Sequence, residues 1–271
     1  MSRHAMGRIL IGTSGYSYAD WVGPFYPPGT RQADFLAFYC SEFDLSELNF
    51  TYYRQPEASS LQRMAAVTGE HFMFSVKAHK TLTHETQAAF HGEVATFLRG
   101  IEPLRETGKL GVVLLQFPYS FHYTSNNRRY LERLCGELPL PLAIEFRNSE
   151  WQRDSVYAGL RQRNIATVNV DEPQLHKLPT PSSVVTSDIA YVRFHGRNEQ
   201  AWWSGDNVSR YDYLYEDDEL NEWIPRITEL AEKAGTVLIV FNNHSRGQAV
   251  QNARRIRELI LGRTNTTEDC S

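Results

Sequence analysis

No pair of cysteines is spaced to hold a metal or to staple a fold. Cys40, Cys135 and Cys270 are scattered, odd in number and without CxxC spacing, which argues against a zinc site or a disulfide framework. A reducing compartment fits this usage. No apolar run approaches the length of a membrane span, and the opening Met1–Arg8 has no apolar stretch of the signal-peptide kind. A cytoplasmic protein with no membrane partner is expected. The positive excess of a bulk nucleic-acid binder is missing too, since the net charge is −4. A local basic pocket is still allowed. Gly12-Thr13-Ser14-Gly15-Tyr16 lacks the spacing of a phosphate-binding Walker loop, a dinucleotide fingerprint or a nucleophile elbow. It reads as a tight turn after a strand, or as exposed amides for an anion.

What the sequence does hold is a recurring strand–helix rhythm. Short apolar runs occur at Ile9–Ser14, Leu45–Thr51, Phe72–Lys77, Gly111–Phe117, Leu142–Arg147, Ala166–Asp171, Ile189–His195 and Thr236–Asn242. Near-continuous apolar strands suit a parallel sheet covered on both faces. Helical patterns fill most gaps, at Ala33–Phe43, from Pro56 to Gly69, and over 93–106, 127–138, 149–162, 218–234 and 248–261. Eight such units in 271 residues predict an α/β fold of the (β/α)8 TIM-barrel type. We expect one domain over 1–271, with a core of about 8–261 and a polar, mobile tail at 262–271. Two segments depart from the rhythm. Asp171–Ser187 holds Pro173, Pro179 and Pro181, so the sixth crossover should be short or irregular. His195–Glu216 is long, carries Trp202, Trp203, Tyr211, Tyr213 and Tyr215, and reads as a loop over a pocket.

Strand side chains alternate faces. On one parity near the strand ends lie Glu47 and Asn49, Ser75 and Lys77, Glu145 and Arg147, Asn169 and Asp171, and Arg193 and His195, with Gln116 and Asn242 closing two more strands. The other parity holds Leu48, Phe74, Val76, Ile144, Phe146, Val168, Val192 and Phe194, which should face the helices. The polar set should then point into the barrel mouth, where barrel enzymes place their catalytic groups. A self-satisfied ion-pair network is the structural alternative. Unpaired buried charge is costly and stability is small, so a purely stabilising role explains this set poorly.

Roles follow from residue chemistry. Glu145 is the candidate general base, His195 its acid–base partner, and Lys77 an electrophile or amine nucleophile. Arg147 and Arg193 suit a carboxylate or phosphate, with Asn49, Gln116, Asp171, Asn242 and Asn243 as further binding groups. Tyr16, Tyr18, Trp21, Tyr52, Tyr53, Trp202 and Trp203 follow strand ends; they pack loops or stack on a ligand. Asn242-Asn243-His244 precedes a helix, where Ser245, Arg246 and Gly247 suit either helix capping or a phosphate site. No cofactor is expected. A metal held by His79, Glu145 and His195 is conceivable, but the spacing of His79 and His84 is not that of a helical metalloprotease pair.

The stretches IGTSGYSYADWVGPFYP, ELNFTYYRQP, FMFSVKAHKTLTH, LLQFP, AIEFRNSEW, YVRFHGR and FNNHSRGQAVQNA, in this order from Ile11 to Ala253, resemble the YecE-like family, domain of unknown function 72. The resemblance implies a TIM barrel and no particular reaction. Members have been compared with barrel endonucleases acting at abasic sites, a likeness of fold. Those enzymes use crowded His, Asp and Glu metal ligands, whereas the pocket here is richer in Arg, Lys and Asn.

The leading expectation is an enzyme of the phosphoester hydrolase kind, acting on a small phosphorylated ligand or nucleic acid. Two alternatives stand beside it. One is a carbohydrate-active or isomerase-like barrel using Glu145 and Asp171 as paired carboxylates. The other is a non-catalytic binder of single-stranded nucleic acid or another partner. The sequence leaves the oligomeric state open.

Overall fold

The computed structural model describes residues 6–86, 90–206 and 208–268. Strands β1 (Arg8–Ser14), β2 (Leu45–Leu48), β3 (Met73–Lys77), β4 (Leu110–Gln116), β5 (Leu142–Glu145), β6 (Ala166–Asp171), β7 (Ile189–Phe194) and β8 (Thr236–Phe241) pair in sequence order and close into a barrel. Every pairing is parallel, including the closing pair of β1 with β8. Helices α1 (Phe35–Tyr39), α2 (Phe50–Tyr53), α3 (Ala58–Val67), α4 (Lys80–Thr83), α5 (Phe90–Glu106), α6 (Ser125–Glu137), α7 (Asp154–Gln162) and α8 (Asp217–Lys233) occupy every crossover except the one between β6 and β7, and α9 (Gln248–Glu268) follows β8. This is the expected (β/α)8 architecture. No helix among the described residues is long and apolar enough to cross a membrane.

Alternation along the strands divides the core in two. Leu10, Leu45, Val112, Leu114, Ala143, Ala166, Val168, Val170, Tyr191, Leu238 and Val240 pack inside the barrel. Leu48, Phe74, Val76, Ile144, Phe146, Val192 and Phe194 pack outward with the helices. Gly12 in β1 is required by close approach, since a Cβ there would lie 1.7 Å from the Leu45 carbonyl oxygen. Helix ends are satisfied locally. Thr124 accepts from the Asn127 amide at the start of α6, Glu216 and Glu219 form a capping box on α8, and the Lys109 amine donates to the Ala65, Thr68 and Gly69 carbonyls beyond the end of α3.

Several expected boundaries move. The second apolar run is strand only to Leu48; its remainder turns into α2, and Thr51 hydrogen-bonds the Lys77 carbonyl at 2.6 Å. The segment 149–162 divides into a 3-10 turn, Ser149–Trp151, and α7. The polar 262–271 stretch continues α9 as helical backbone to Glu268, and 269–271 lie outside the described residues.

The inward parity expected for Asn169 and Asp171 is wrong, and the sixth crossover shows why. No helix forms between β6 and β7. An extended segment lies along the outer face of β6 instead, and its backbone needs polar partners. Asn169 supplies them, accepting from the Val184 amide and Ser182 hydroxyl and donating to the Val184 carbonyl. Thr186 Oγ1 accepts from the Thr167 amide at 2.7 Å. Thr167, Asn169 and Asp171 therefore face outward, while Val168 and Val170 line the barrel, and the next inward position is Glu172.

Candidate functional site

The C-terminal ends of the strands carry a buried network centred on two arginines. Ser14 ends β1, Glu47 lies in β2, Glu145 ends β5, and Arg193 lies in β7. Arg193 crosses the barrel axis, donating to Glu145 Oε2 through Nη1 and to Glu47 Oε1 through Nη2. Glu47 also accepts from the Ser14 and Tyr191 hydroxyls. Arg147 donates from Nε to Glu145 Oε1 at 2.5 Å and from Nη1 to Glu172 Oε2 at 3.0 Å. Its Nη2 and the Asn242 amide both approach His195 Nδ1, at 3.4 and 3.1 Å. Two donors at Nδ1 place the imidazole proton on Nε2, which faces Glu145 Oε1 at 3.3 Å.

Protonation follows from this crowding. Burial opposes charge on Glu145, but Arg147, Arg193 and His195 outweigh it and hold the carboxyl well below its ordinary range. His195 is pushed down to about 3 by burial and then by Arg147, so it is neutral at pH 7. Glu172 is pushed up to about 8 by burial, reinforced by Glu145 and Asp171 against the pull of Arg147. Its Oε1 has no hydrogen-bond partner among the described residues, which suits a neutral carboxyl. Lys77 is pushed down to about 8, by burial first and then by Arg193.

Above this network opens a cavity of about 580 Å³, within the range of small-molecule sites. Lys77, Arg147, Arg193 and Arg210 line it with Asn49, Gln116 and Asn242, and among the described residues no Asp or Glu does. The carboxylates lie beneath, so the surface presented is cationic. Tyr18, Tyr52, Tyr53, Tyr119, Trp202, Trp203 and Tyr211 make the walls. The cations fall into two corners. Arg147 and Arg210 lie 5.7 and 6.0 Å from the same Trp202 ring. Lys77 lies 4.5 Å over the Tyr52 ring, whose edge meets His84. Arg210 and Glu172 were not singled out in the sequence. Arg210 sits in the long loop after β7, beside the tryptophans that marked that loop.

The structure thus brings together Lys77, Glu145, His195, Arg147, Arg193, Asn49, Gln116, Asn242, Tyr53 and Trp202. It does not bring in the rest. Asp171 faces outward and accepts from Arg197, Tyr215 and Trp223 Nε1, tying the long loop and α8 to the barrel wall. Asn243 is buried against the Tyr213 carbonyl and Asn252. Trp21 is fully buried and donates to the His244 carbonyl. Tyr16 packs on Tyr39 and its carbonyl accepts from Tyr26. His79 pairs with Thr81 and lies 3.9 Å from Glu93, so it does not join Glu145 and His195. Among the described residues no group of three or more His, Cys, Asp or Glu is placed to hold a metal.

The two loop readings also resolve into structure. Gly15, at φ +85°, turns the chain after β1, and its amide donates to the Glu47 carbonyl. The Thr13 amide donates to the Tyr39 hydroxyl. After β8 the Arg246 amide donates to Asp20 and the Arg246 guanidinium pairs with Asp212, so these donors are engaged within the fold.

The model of the family described as "Protein of unknown function DUF72" matches residues 10–269. The UPF0759 protein YunF of Bacillus subtilis is 30% identical over 273 residues, covering 93% of this chain and 94% of that one. The crystal structure of a DUF72 family protein from Thermotoga maritima superposes with a TM-score of 0.87 at 39% identity, over 93% of this chain and 99% of the other. One from Enterococcus faecalis gives 0.83 at 28%, over 93% and 95%.

Proposed function

The chain belongs to the DUF72 family, whose description names no reaction, and from the chemistry of the cavity we propose that it acts on a phosphorylated ligand bearing a flat ring. A nucleotide, free or at the end of a single strand, has this chemistry. The observation that carries the reading is the lining itself: among the described residues, four cations, no carboxylate, and aromatic walls. A phosphate is bound by guanidinium forks, and bases stack on aromatic faces.

Arg147 and Arg210, both beside the Trp202 ring, form the phosphate corner. Arg147 is held in place by Glu145 and Glu172. Arg210 makes no side-chain ion pair among the described residues and its buried Nε has no partner, so its donors are available to an anion. Trp203 and Tyr53, both largely exposed at the rim, offer faces to the ring. In this reading Glu145 and His195 are positioning residues. Glu145 gives both oxygens to its cations, and His195 is neutral and enclosed. The group that meets the reacting end of the ligand is Lys77, at the other corner.

A carbohydrate site built on Glu145 and Asp171 is not favoured, because Asp171 faces the helices and Glu145 lies beneath the cavity floor. Arg210→Ala tests the phosphate corner. No internal carboxylate is stranded by the change, so the thermal midpoint should stay within about 2 °C. Affinity for a nucleoside monophosphate should fall about tenfold or more, as expected for a charge-assisted bond. Unchanged affinity would remove Arg210 and the two-guanidinium corner from the account.

A further inference from the structure

We propose that Lys77 is an amine nucleophile that condenses with an aldehyde or ketone carbonyl on the phosphorylated ligand. This rests on the cavity being a phosphate site and names the class of substrate it takes, a phosphorylated carbonyl compound.

The chain has only five lysines, and four are accounted for elsewhere. Lys109 is buried under acceptors at the end of α3. Lys80 pairs with Glu85 at 2.7 Å and Lys233 with Glu229 at 2.5 Å. Lys177 is exposed on the connection between β6 and β7. Lys77 alone lines the cavity. Its backbone is fixed at the end of β3 by register with Leu114 and by the Thr51 hydroxyl on its carbonyl.

A lysine at a strand end normally finds a carboxylate. Here the candidates are already saturated. Glu47 accepts from Arg193, Ser14 and Tyr191, and Glu145 from Arg193 and Arg147, with His195 alongside. The Lys77 amine has no hydrogen-bond acceptor or ion-pair partner among the described residues; it lies over the Tyr52 ring. Arg193 and Arg147 keep their charge at any working pH. Burial and these two cations outweigh the opposing pull of Glu47 and Glu145, so part of the lysine population is the neutral amine, which is the nucleophilic form. An arginine-bound phosphate at the Trp202 corner would hold the ligand with its other end toward this amine.

The step balances without a further reagent. The amine nitrogen bonds to the carbonyl carbon, and the carbonyl oxygen becomes the hydroxyl of a carbinolamine. That oxygen then leaves as water, carrying the two hydrogens the nitrogen gives up, and the C=N bond remains.

The test uses two probes that share a phosphate and a flat ring. Pyridoxal 5′-phosphate carries an aldehyde; pyridoxine 5′-phosphate carries an alcohol in its place. The full-length protein is incubated with the aldehyde, reduced with borohydride and mapped by peptide mass spectrometry. The expected result is a reduced adduct on Lys77 at roughly ten times the occupancy of Lys80, Lys177 or Lys233. Lys77→Arg should abolish that adduct while keeping the far-ultraviolet circular dichroism of the parent, which shows that the variant folds. If pyridoxine 5′-phosphate binds and the adduct is spread over exposed lysines, the amine role is overturned and the phosphate site stands. If neither phosphate compound binds, both readings fall.

Discussion

Replacing Arg193 by Met is expected to lower the free energy of unfolding by about 3–5 kcal/mol, the usual consequence of removing one partner from a buried ion pair. For a chain of this length that is a fall of roughly 10 °C in thermal midpoint. The reason lies in what remains. Glu47 and Glu145 are fully buried, and Arg193 is the cation that bridges them across the barrel axis. Methionine fills much of the volume but leaves two carboxylates facing each other without it. Arg147 and His195 still reach Glu145, whereas Glu47 keeps only hydroxyl donors. Adding Glu47→Gln to Arg193→Met should recover part of the loss, because the stranded charge disappears; scanning calorimetry on the four members of this cycle measures the coupling directly. Additive losses would mean that the two side chains do not form one network.

The second large effect is pH-dependent. Glu172 has a folded pKa near 8, above the value of about 4.3 for a free glutamate. Between those values the unfolded chain has lost the proton while the folded chain still holds it. Stability contributed by this group therefore falls as pH rises through the window, and the deficit is fully developed above pH 8. Glu172→Gln removes the titration and keeps an oxygen for Arg147. The variant should resemble the parent near pH 5 and exceed it by a few kcal/mol near pH 8.5. A difference that is flat with pH would show that Glu172 is ionised in the fold throughout.

These two residues illustrate what the sequence could convey. Arg193 was legible because β7 alternates cleanly, with Tyr191, Arg193 and His195 inward and Val192 and Phe194 outward. The same alternation located Glu47, Lys77, Gln116, Glu145, Arg147 and Asn242. Glu172 was not legible, because Asn169 and Asp171 offered a polar parity that matched the other strands. In β6 that pattern has another cause. The helix is missing, so the outer face must satisfy an extended segment through Asn169, and Asp171 anchors Arg197, Tyr215 and Trp223. The Pro-rich crossover was visible in the sequence, and its consequence for the strand beside it was the missing step. Aromatics divided for a related reason. Trp21 and Tyr16 follow β1 just as Tyr18 does, but only the three-dimensional path of the loop decides which ring faces the cavity. Arg210 is sixteen residues beyond the end of β7, in an irregular loop, where no periodicity reports direction.

The network and the cavity form one unit. Carboxylates below hold the Arg147 and Arg193 guanidiniums that line the cavity, so its floor is cationic while the buried charges are paired. A phosphate is what we propose this floor recognises. Titration calorimetry of the unaltered protein with a nucleoside 5′-monophosphate and with the same nucleoside lacking phosphate tests it most directly. The monophosphate should bind about a hundredfold more tightly or better, as two charge-assisted contacts imply, and its affinity should fall as salt is raised. Equal affinity for the two compounds, or monophosphate binding indifferent to salt, would contradict it.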